Sequence, residues 1–130
     1  MNDAIYIAAP PGTTWPLDLD TLDQRLQERF ADLRAFVKHA PVRDQDYLDF
    51  QTTVDGLPRH GCYFDRTHLI LRDGPPSLWA ETIVWFLSLL PLDAEAVVML
   101  EANPEHVAPL SRTVVPEQVT VLLEELGQAE

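Results

Sequence analysis

Apolar side chains lie on nearly all sides of the segment between Pro75 and Leu92 when it is drawn as a helix. Ser77 is placed to cap this helix, because its side chain can accept hydrogen bonds from N–H groups that lack an intrahelical partner. Pro91 closes the segment, since proline cannot continue the hydrogen-bond ladder. A helix that is apolar all round is buried or spans a membrane. This one is shorter than the roughly 20 residues that a bilayer requires, so the sequence predicts a buried core helix over residues 77–90.

Two amphipathic helices are predicted on either side of the core helix along the chain. The first begins at Asp18 or Asp20, and apolar residues recur after it at steps of three and four. Its apolar stripe comprises Leu19, Leu22, Leu26, Phe30 and Leu33. The second begins at Pro116, a favoured first residue of a helix, and Gly127 fits a carboxyl-terminal stop. Its apolar side comprises Val119, Leu122, Leu123 and Leu126.

A three-stranded antiparallel meander is predicted over residues 46–72. Residues alternate with a period of two from Leu48 to Val54, as in a strand with two different faces. Asp55-Gly56 then gives a strong hairpin signal, because a type I′ turn needs positive φ at both central residues. The remaining parts are the return strand Leu57–Phe64, a second candidate tight turn at Asp65-Arg66, and a third strand at Thr67–Arg72.

Three further strands are predicted outside the meander, at Ala4–Ala9, Arg34–Ala40 and Ala96–Glu101, with an acidic turn at Val42–Asp46 and an irregular connection at 105–114. The order of elements is therefore βαββββαβα. Hairpin-linked strands with helices before and after them favour an α+β domain. We expect an antiparallel sheet of about five to six strands, with the helices packed on it around the core helix.

Strict pairing through the two tight turns leaves both faces of the meander partly apolar. One face would carry Leu48, Phe50, Val54, Leu57, Tyr63 and Ile70, and the other would carry Cys62, Phe64, Leu69 and Leu71. A bulge at Gly61 would correct this alternation. Alternatively the sheet is covered on both sides, either by the chain's own helices or by a partner chain, which would indicate dimerisation or the binding of another partner.

The composition is that of one globular domain over residues 1–130. Cys62 is the single cysteine, so an internal disulfide is excluded and a reducing compartment is favoured. Met1-Asn2-Asp3 has neither a positive stretch nor a long apolar run, so no signal peptide is predicted. We therefore expect a cytoplasmic protein that does not enter a membrane.

The net charge of −12 is unevenly distributed along the chain. Residues 1–72 hold 11 acidic and 8 basic side chains, whereas residues 73–130 hold 10 acidic ones and a single base, Arg112. Such a half repels nucleic acid, whose binding depends on Lys and Arg contacts to phosphate. It would attract a basic partner, although an acidic surface also serves solubility alone.

Asp49, His60 and Cys62 form the one group of residues that could carry chemistry. A two-residue loop at Asp55-Gly56 places Asp49 opposite Cys62, and it points His60 to the same side of the sheet. A thiol, an imidazole and a carboxylate are the parts of a cysteine nucleophile, its base and an orienting group. The alternative is a small buried cysteine beside an ordinary strand histidine, which is the commoner arrangement.

No metal or cofactor is predicted. His68 is the nearest additional zinc ligand by type, but the tight turn at Asp65-Arg66 places it on the face opposite to His60 and Cys62. A bulge at Gly61 would remove this objection. The five glycines are scattered, so there is no phosphate-binding loop.

The leading hypothesis is a non-catalytic protein-binding module whose acidic half contacts a basic partner. An immunity or antitoxin-like protein is one version of it, by analogy of size and charge alone. The candidate contact residues are Trp15, as an aromatic anchor, and Glu101, Glu105, Glu117, Glu124 and Glu125. The alternative is a small-molecule-binding domain or minor enzyme with a pocket lined by Asp49, His60 and Cys62. A third hypothesis is a structural subunit of a homodimer.

Overall fold

A computed structural model describes residues 4–42 and 44–128 of the chain. Met1–Asp3, where no signal peptide is predicted, and Arg43 in the predicted acidic turn lie outside the described residues. The described residues form seven strands and three helices in the order βαββββαββα. The elements are β1 (Ile5–Ala8), α1 (Leu19–Arg29), β2 (Arg34–Ala40), β3 (Gln45–Val54), β4 (Leu57–Phe64), β5 (His68–Leu71), α2 (Pro76–Ser88), β6 (Ala96–Leu100), β7 (Ala108–Leu110) and α3 (Pro116–Gln128).

All seven strands belong to one antiparallel sheet, in the order β2-β3-β4-β5-β1-β6-β7. The predicted α+β class is therefore confirmed, with one strand more than the predicted order contains. The additional strand is β7, which lies in the connection predicted to be irregular and pairs with β6. None of the helices formed by the described residues is both long and apolar enough to cross a membrane.

The helix α2 is the buried core element that its all-round apolar pattern predicts. Trp79, Ile83 and Phe86 are fully buried, in one cluster with the buried residues of α1, α3 and the sheet. The helix begins at Pro76 with Pro75 as its cap, and no side chain accepts a capping hydrogen bond there. The prediction that Ser77 caps the helix is therefore wrong, because the helix starts one residue before it.

The other two helices differ from their predictions mainly at their ends. Asp18 caps α1 by accepting a hydrogen bond from the Thr21 N–H at 2.8 Å. This helix ends at Arg29, so the predicted stripe leaves the helix before Leu33. The helix α3 begins at Pro116 as predicted, but it continues through Gly127, so the predicted stop there is wrong.

The first hairpin of the meander is confirmed and the second is not. Val54 lies opposite Leu57, and Asp55 and Gly56 have φ values of 52° and 79°. The second turn is a three-residue loop at 65–67, because Phe64 lies opposite His68. Each side chain of β5 therefore points to the face of the sheet opposite to the predicted one.

The corrected register of β5 changes which side chains share each face, but both faces of the sheet remain partly apolar. Leu69 and Leu71 join the core with Leu48, Phe50 and Tyr63. Ile70 lies opposite Cys62 and His68 lies opposite Phe64, so these four share the other face of the sheet. We call this other face the open face, because the buried sides of the three helices belong to the core on the opposite face.

Gly61 is not a bulge, because the pairing of β3 with β4 runs without interruption from Tyr47 to Val54. Gly61 lies opposite Phe50, and a Cβ atom on it would be 2.4 Å from Cζ of that ring and 3.1 Å from the Ile70 carbonyl oxygen. The glycine is therefore required by the close approach of a buried aromatic side chain.

Candidate functional site

The open face brings Asp49, His60 and Cys62 to the positions that the first hairpin predicts, with Asp49 directly opposite Cys62. Their hydrogen bonds, however, lead to other residues. Lys38 Nζ donates to Asp49 Oδ2 at 2.7 Å, and the ring nitrogens of His60 lie 2.6 Å from Asp73 Oδ2 and 3.1 Å from Gln51 Oε1. The three side chains are neighbours on the sheet, but the carboxylate and the imidazole are each bonded elsewhere.

The thiol of Cys62 is not in an activating environment. Burial raises the pKa of this thiol, against the opposing influence of Arg72. A cysteine nucleophile needs a lowered pKa, because the thiolate is the reactive form. The geometry therefore favours a half-buried structural cysteine.

The objection raised against a zinc site at His68 is wrong, since the three-residue loop places His68 on the same face as His60 and Cys62. Its imidazole stacks on the Phe64 ring with centroids 4.5 Å apart, and its Nδ1 lies 2.9 Å from Thr67 Oγ1. Across residues 4–42 and 44–128, no three His, Cys, Asp or Glu side chains are grouped closely enough to hold a metal ion.

An apolar cavity of about 380 Å³ does open on this face, but away from the predicted pocket residues. Its walls include Tyr6, Ala8, His68, Val97 and Met99. Asp49, His60 and Cys62 do not line it. The cavity lies elsewhere because Tyr6 and Ala8 of β1 meet Val97 and Met99 of β6, a pairing of distant strands that the sequence did not predict.

Trp15 is 2% exposed and packs against the rings of Tyr63 and Phe86. Its indole N–H donates to the Glu95 carbonyl oxygen at 2.9 Å. The ring is thus part of the core, and its surface is not offered to a partner.

The predicted acidic contact residues do lie on connected elements. Glu101 and Glu105 are in the loop after β6, and Asn103 in that loop donates a 3.0 Å hydrogen bond to the Leu126 carbonyl oxygen near the end of α3. This bond brings the loop beside the last turns of α3, which carry Glu124 and Glu125. We call these four glutamates the acidic end.

The helix dipole of α3 adds negative potential near the acidic end, and an exposed valine adds an apolar surface. No basic residue lies in the last turn of α3, where the helix dipole is itself negative. Val121 is 54% exposed and lies one turn after Glu117. A shallow groove of about 360 Å³ runs along this side of α3, lined by Glu117, Gln118, Val121, Leu122 and Glu125.

The single base of this half, Arg112, is committed to the backbone. Its Nε donates to the Leu90 carbonyl oxygen and its Nη2 to the Ser88 carbonyl oxygen, both at 3.0 Å. It thereby binds carbonyl groups that the end of α2 leaves without intrahelical donors. Among the described residues, none forms an ion pair with Glu117, Glu124 or Glu125.

Sequence reasoning identified the glutamates but missed the roles of Arg112 and Val121. Val121 could have been found, since it is the apolar residue of the last helix that lies off the predicted stripe. Comparison with protein-family models, curated proteins and solved structures gives no match for this chain.

Proposed function

We propose that this protein is a non-catalytic binding module whose acidic end and α3 surface engage a basic protein partner. The observation that carries the proposal is the position of Arg112, which donates to two backbone carbonyl groups and forms no ion pair with Glu117, Glu124 or Glu125. Uncompensated surface charge of one sign steers and selects a partner of the opposite sign.

The arrangement along α3 supports a contact with apolar content as well as charge. Glu117 and Glu124 are seven residues apart, which is about 10 Å on a helix, and the exposed Val121 lies between them. A partner surface with Lys or Arg side chains around an apolar residue would match this pattern. Inhibition of a basic enzyme, as an immunity or antitoxin-like protein achieves it, is one form that such binding takes, by analogy of size and charge.

The alternative, a small-molecule site at Asp49, His60 and Cys62, has less support. The hydrogen bonds of His60 and Asp49 lead away from the thiol, and burial raises the thiol pKa. The apolar cavity on the same face is lined by other residues.

The test compares two variants that each lose three negative charges. One carries Glu117→Gln, Glu124→Gln and Glu125→Gln on α3. The matched control carries Asp20→Asn, Asp23→Asn and Glu28→Gln on α1. Immobilised proteins are incubated with lysate at about 50 mM salt and eluted at about 500 mM, where exposed charges are strongly screened.

We expect the parent and the α1 variant to retain the same basic protein at low salt and release it at high salt. The α3 variant should retain little of it. Retention of no basic protein by the parent would contradict the proposal. Equal losses in the two variants would do so too, because they would show dependence on net charge alone.

A further inference from the structure

The two edges of the sheet are protected to different degrees. The strand β7 has three residues and includes Pro109, which lacks an N–H group. The strand β2 has seven residues and no proline, and its outer side pairs with no strand of the described residues. Phe36 and Val37 at its centre are 64% and 56% exposed. An unpaired edge of seven residues with exposed apolar side chains at its centre is a template for another strand.

Lys38 and His39 of β2 are paired with acidic side chains of the same chain, whereas Arg34 forms no ion pair among the described residues. Lys38 Nζ lies 2.7 Å from Asp49 Oδ2, and the ring of His39 lies 2.9 Å from Asp46 and 3.3 Å from Asp44. The centre of the edge, at Phe36 and Val37, therefore offers no charge to an acidic or basic peptide. Since β2 contains no acidic residue, two copies of a chain of net charge −12 can meet here without bringing carboxylates of this strand together.

The acidic end lies at the far side of the sheet from this edge. The strand β6, which leads into the acidic loop, is five positions from β2 in the sheet order. At about 4.8 Å per strand this is roughly 24 Å, well beyond the Debye length of about 8 Å at physiological salt. Two chains joined at β2 would keep their acidic ends far apart.

We propose that β2 pairs antiparallel with β2 of a second copy of this chain, which joins the two sheets across a two-fold axis. Opposite residues of an antiparallel pair point to the same face of the sheet. The helices of the two copies therefore lie on the same side only if the numbers of paired residues sum to an even number. In every such register one residue lies opposite its own copy, and the two-fold axis passes between those two residues. An axis at Val37 sets Phe36 opposite Lys38 of the second copy, an arrangement that allows a cation–π contact. An axis at Val37 also pairs all seven residues of β2, whereas an axis at Phe36 would pair only residues 34–38 and would set Arg34 opposite Lys38. The register therefore centres on Val37.

Sedimentation velocity from about 5 to about 500 μM tests the association, because pairing through one short strand should give a dimer with a dissociation constant in the micromolar range. We expect the mass to rise with concentration from 14.7 kDa toward twice that value. Val37→Lys places two positive charges against each other at the axis, and it should raise the dissociation constant at least tenfold. The control is Val121→Lys, at a site of nearly equal exposure on α3 (54% against 56%), and it should change the constant less than twofold. A chain that stays monomeric throughout, or equal weakening by both substitutions, would overturn the proposal.

Cysteine cross-linking tests the register. In a background with Cys62→Ser, Val37→Cys should form an intermolecular disulfide on mild oxidation by copper phenanthroline, because opposite residues of an antiparallel pair have Cβ atoms about 4.5–5.5 Å apart. Phe36→Cys should cross-link much more slowly, since its two copies are offset along the strands. Faster cross-linking at Phe36→Cys, or none at either position, would refute the pairing centred on Val37.

Discussion

Substitution of Gly61 by alanine is the sharpest test of the packing beneath the sheet. The added Cβ would lie 2.4 Å from Cζ and 2.8 Å from Cε2 of Phe50, and 3.1 Å from the Ile70 carbonyl oxygen. The Phe50 ring is 2% exposed and has little room to move. Overpacking of a core costs about 1–3 kcal/mol, and the lower unfolded-state entropy of alanine returns about 0.4–1 kcal/mol. We expect a net loss of about 1–2 kcal/mol in the free energy of unfolding.

Urea unfolding followed by far-ultraviolet circular dichroism measures this loss as a lower midpoint at an unchanged slope. Phe50→Leu in the same chain should remove part of the clash, so the double variant should lose at least about 0.5 kcal/mol less than the sum of the two single losses. Gly127→Ala is the matched control, because its Cβ would meet only Leu100 Cδ1 at 3.5 Å, an ordinary contact. It should stabilise α3 by about 0.5–1 kcal/mol. A Gly61→Ala protein as stable as its parent would refute the close approach.

Two further predictions concern hydrogen bonds from side chains to backbone carbonyl groups. Burial raises the pKa of Tyr63, whose hydroxyl group donates to the Leu17 carbonyl oxygen at 2.7 Å. Its contribution to stability is therefore complete below the unfolded pKa of about 10 and is lost as the pH rises above it. Urea midpoints at about pH 8 and 10.5 should fall less in Tyr63→Phe than in the parent, and an equal fall would contradict this. Arg112→Met removes two charge-assisted hydrogen bonds to Ser88 and Leu90 and should cost about 2 kcal/mol of unfolding free energy by the same assay; a loss below about 0.5 kcal/mol would show that these bonds do not stabilise the end of α2.

The elements that the sequence predicted well are those with a local cause. The bounds of β2, Arg34–Ala40, are observed as predicted, and the Asp55-Gly56 turn has the positive φ values that its residue types permit. The core helix α2 follows from its apolar composition, which leaves burial as its one stable environment in water. These features depend on residues close together in the chain.

The elements that it missed depend on distant partners. The strand β7 contains a proline and has only three residues, so its identity as a strand comes from pairing with β6. Arg66 adopts a φ of 64° in the second turn, a conformation that arginine does not favour, and nothing in its neighbourhood announces a three-residue loop. That one error reversed the assignment of His68.

In the candidate site, too, the features set by residue type could be predicted, and those that depend on distant partners could not. The glutamates of the acidic end are evident from residue type, and so is their excess over bases. The hydrogen bonds of Arg112 are not evident from the sequence, because their acceptors are 22 and 24 residues earlier in the chain. The same limit applies to the bonds of His60, since Asp73 meets it only once β4 and β5 are paired.

The three-residue loop at 65–67 has a consequence for variation of this chain. Surface loops ordinarily tolerate insertions and deletions, but here the number of residues sets which side chains of β5 face inward. Removing or adding one residue would turn Leu69 and Leu71 toward solvent and force His68 and Ile70 into the apolar interior, unless the strand slipped to compensate. Length changes by two residues would preserve the alternation. We therefore expect a parity rule for this loop, under which even changes in length are tolerated and odd ones are not.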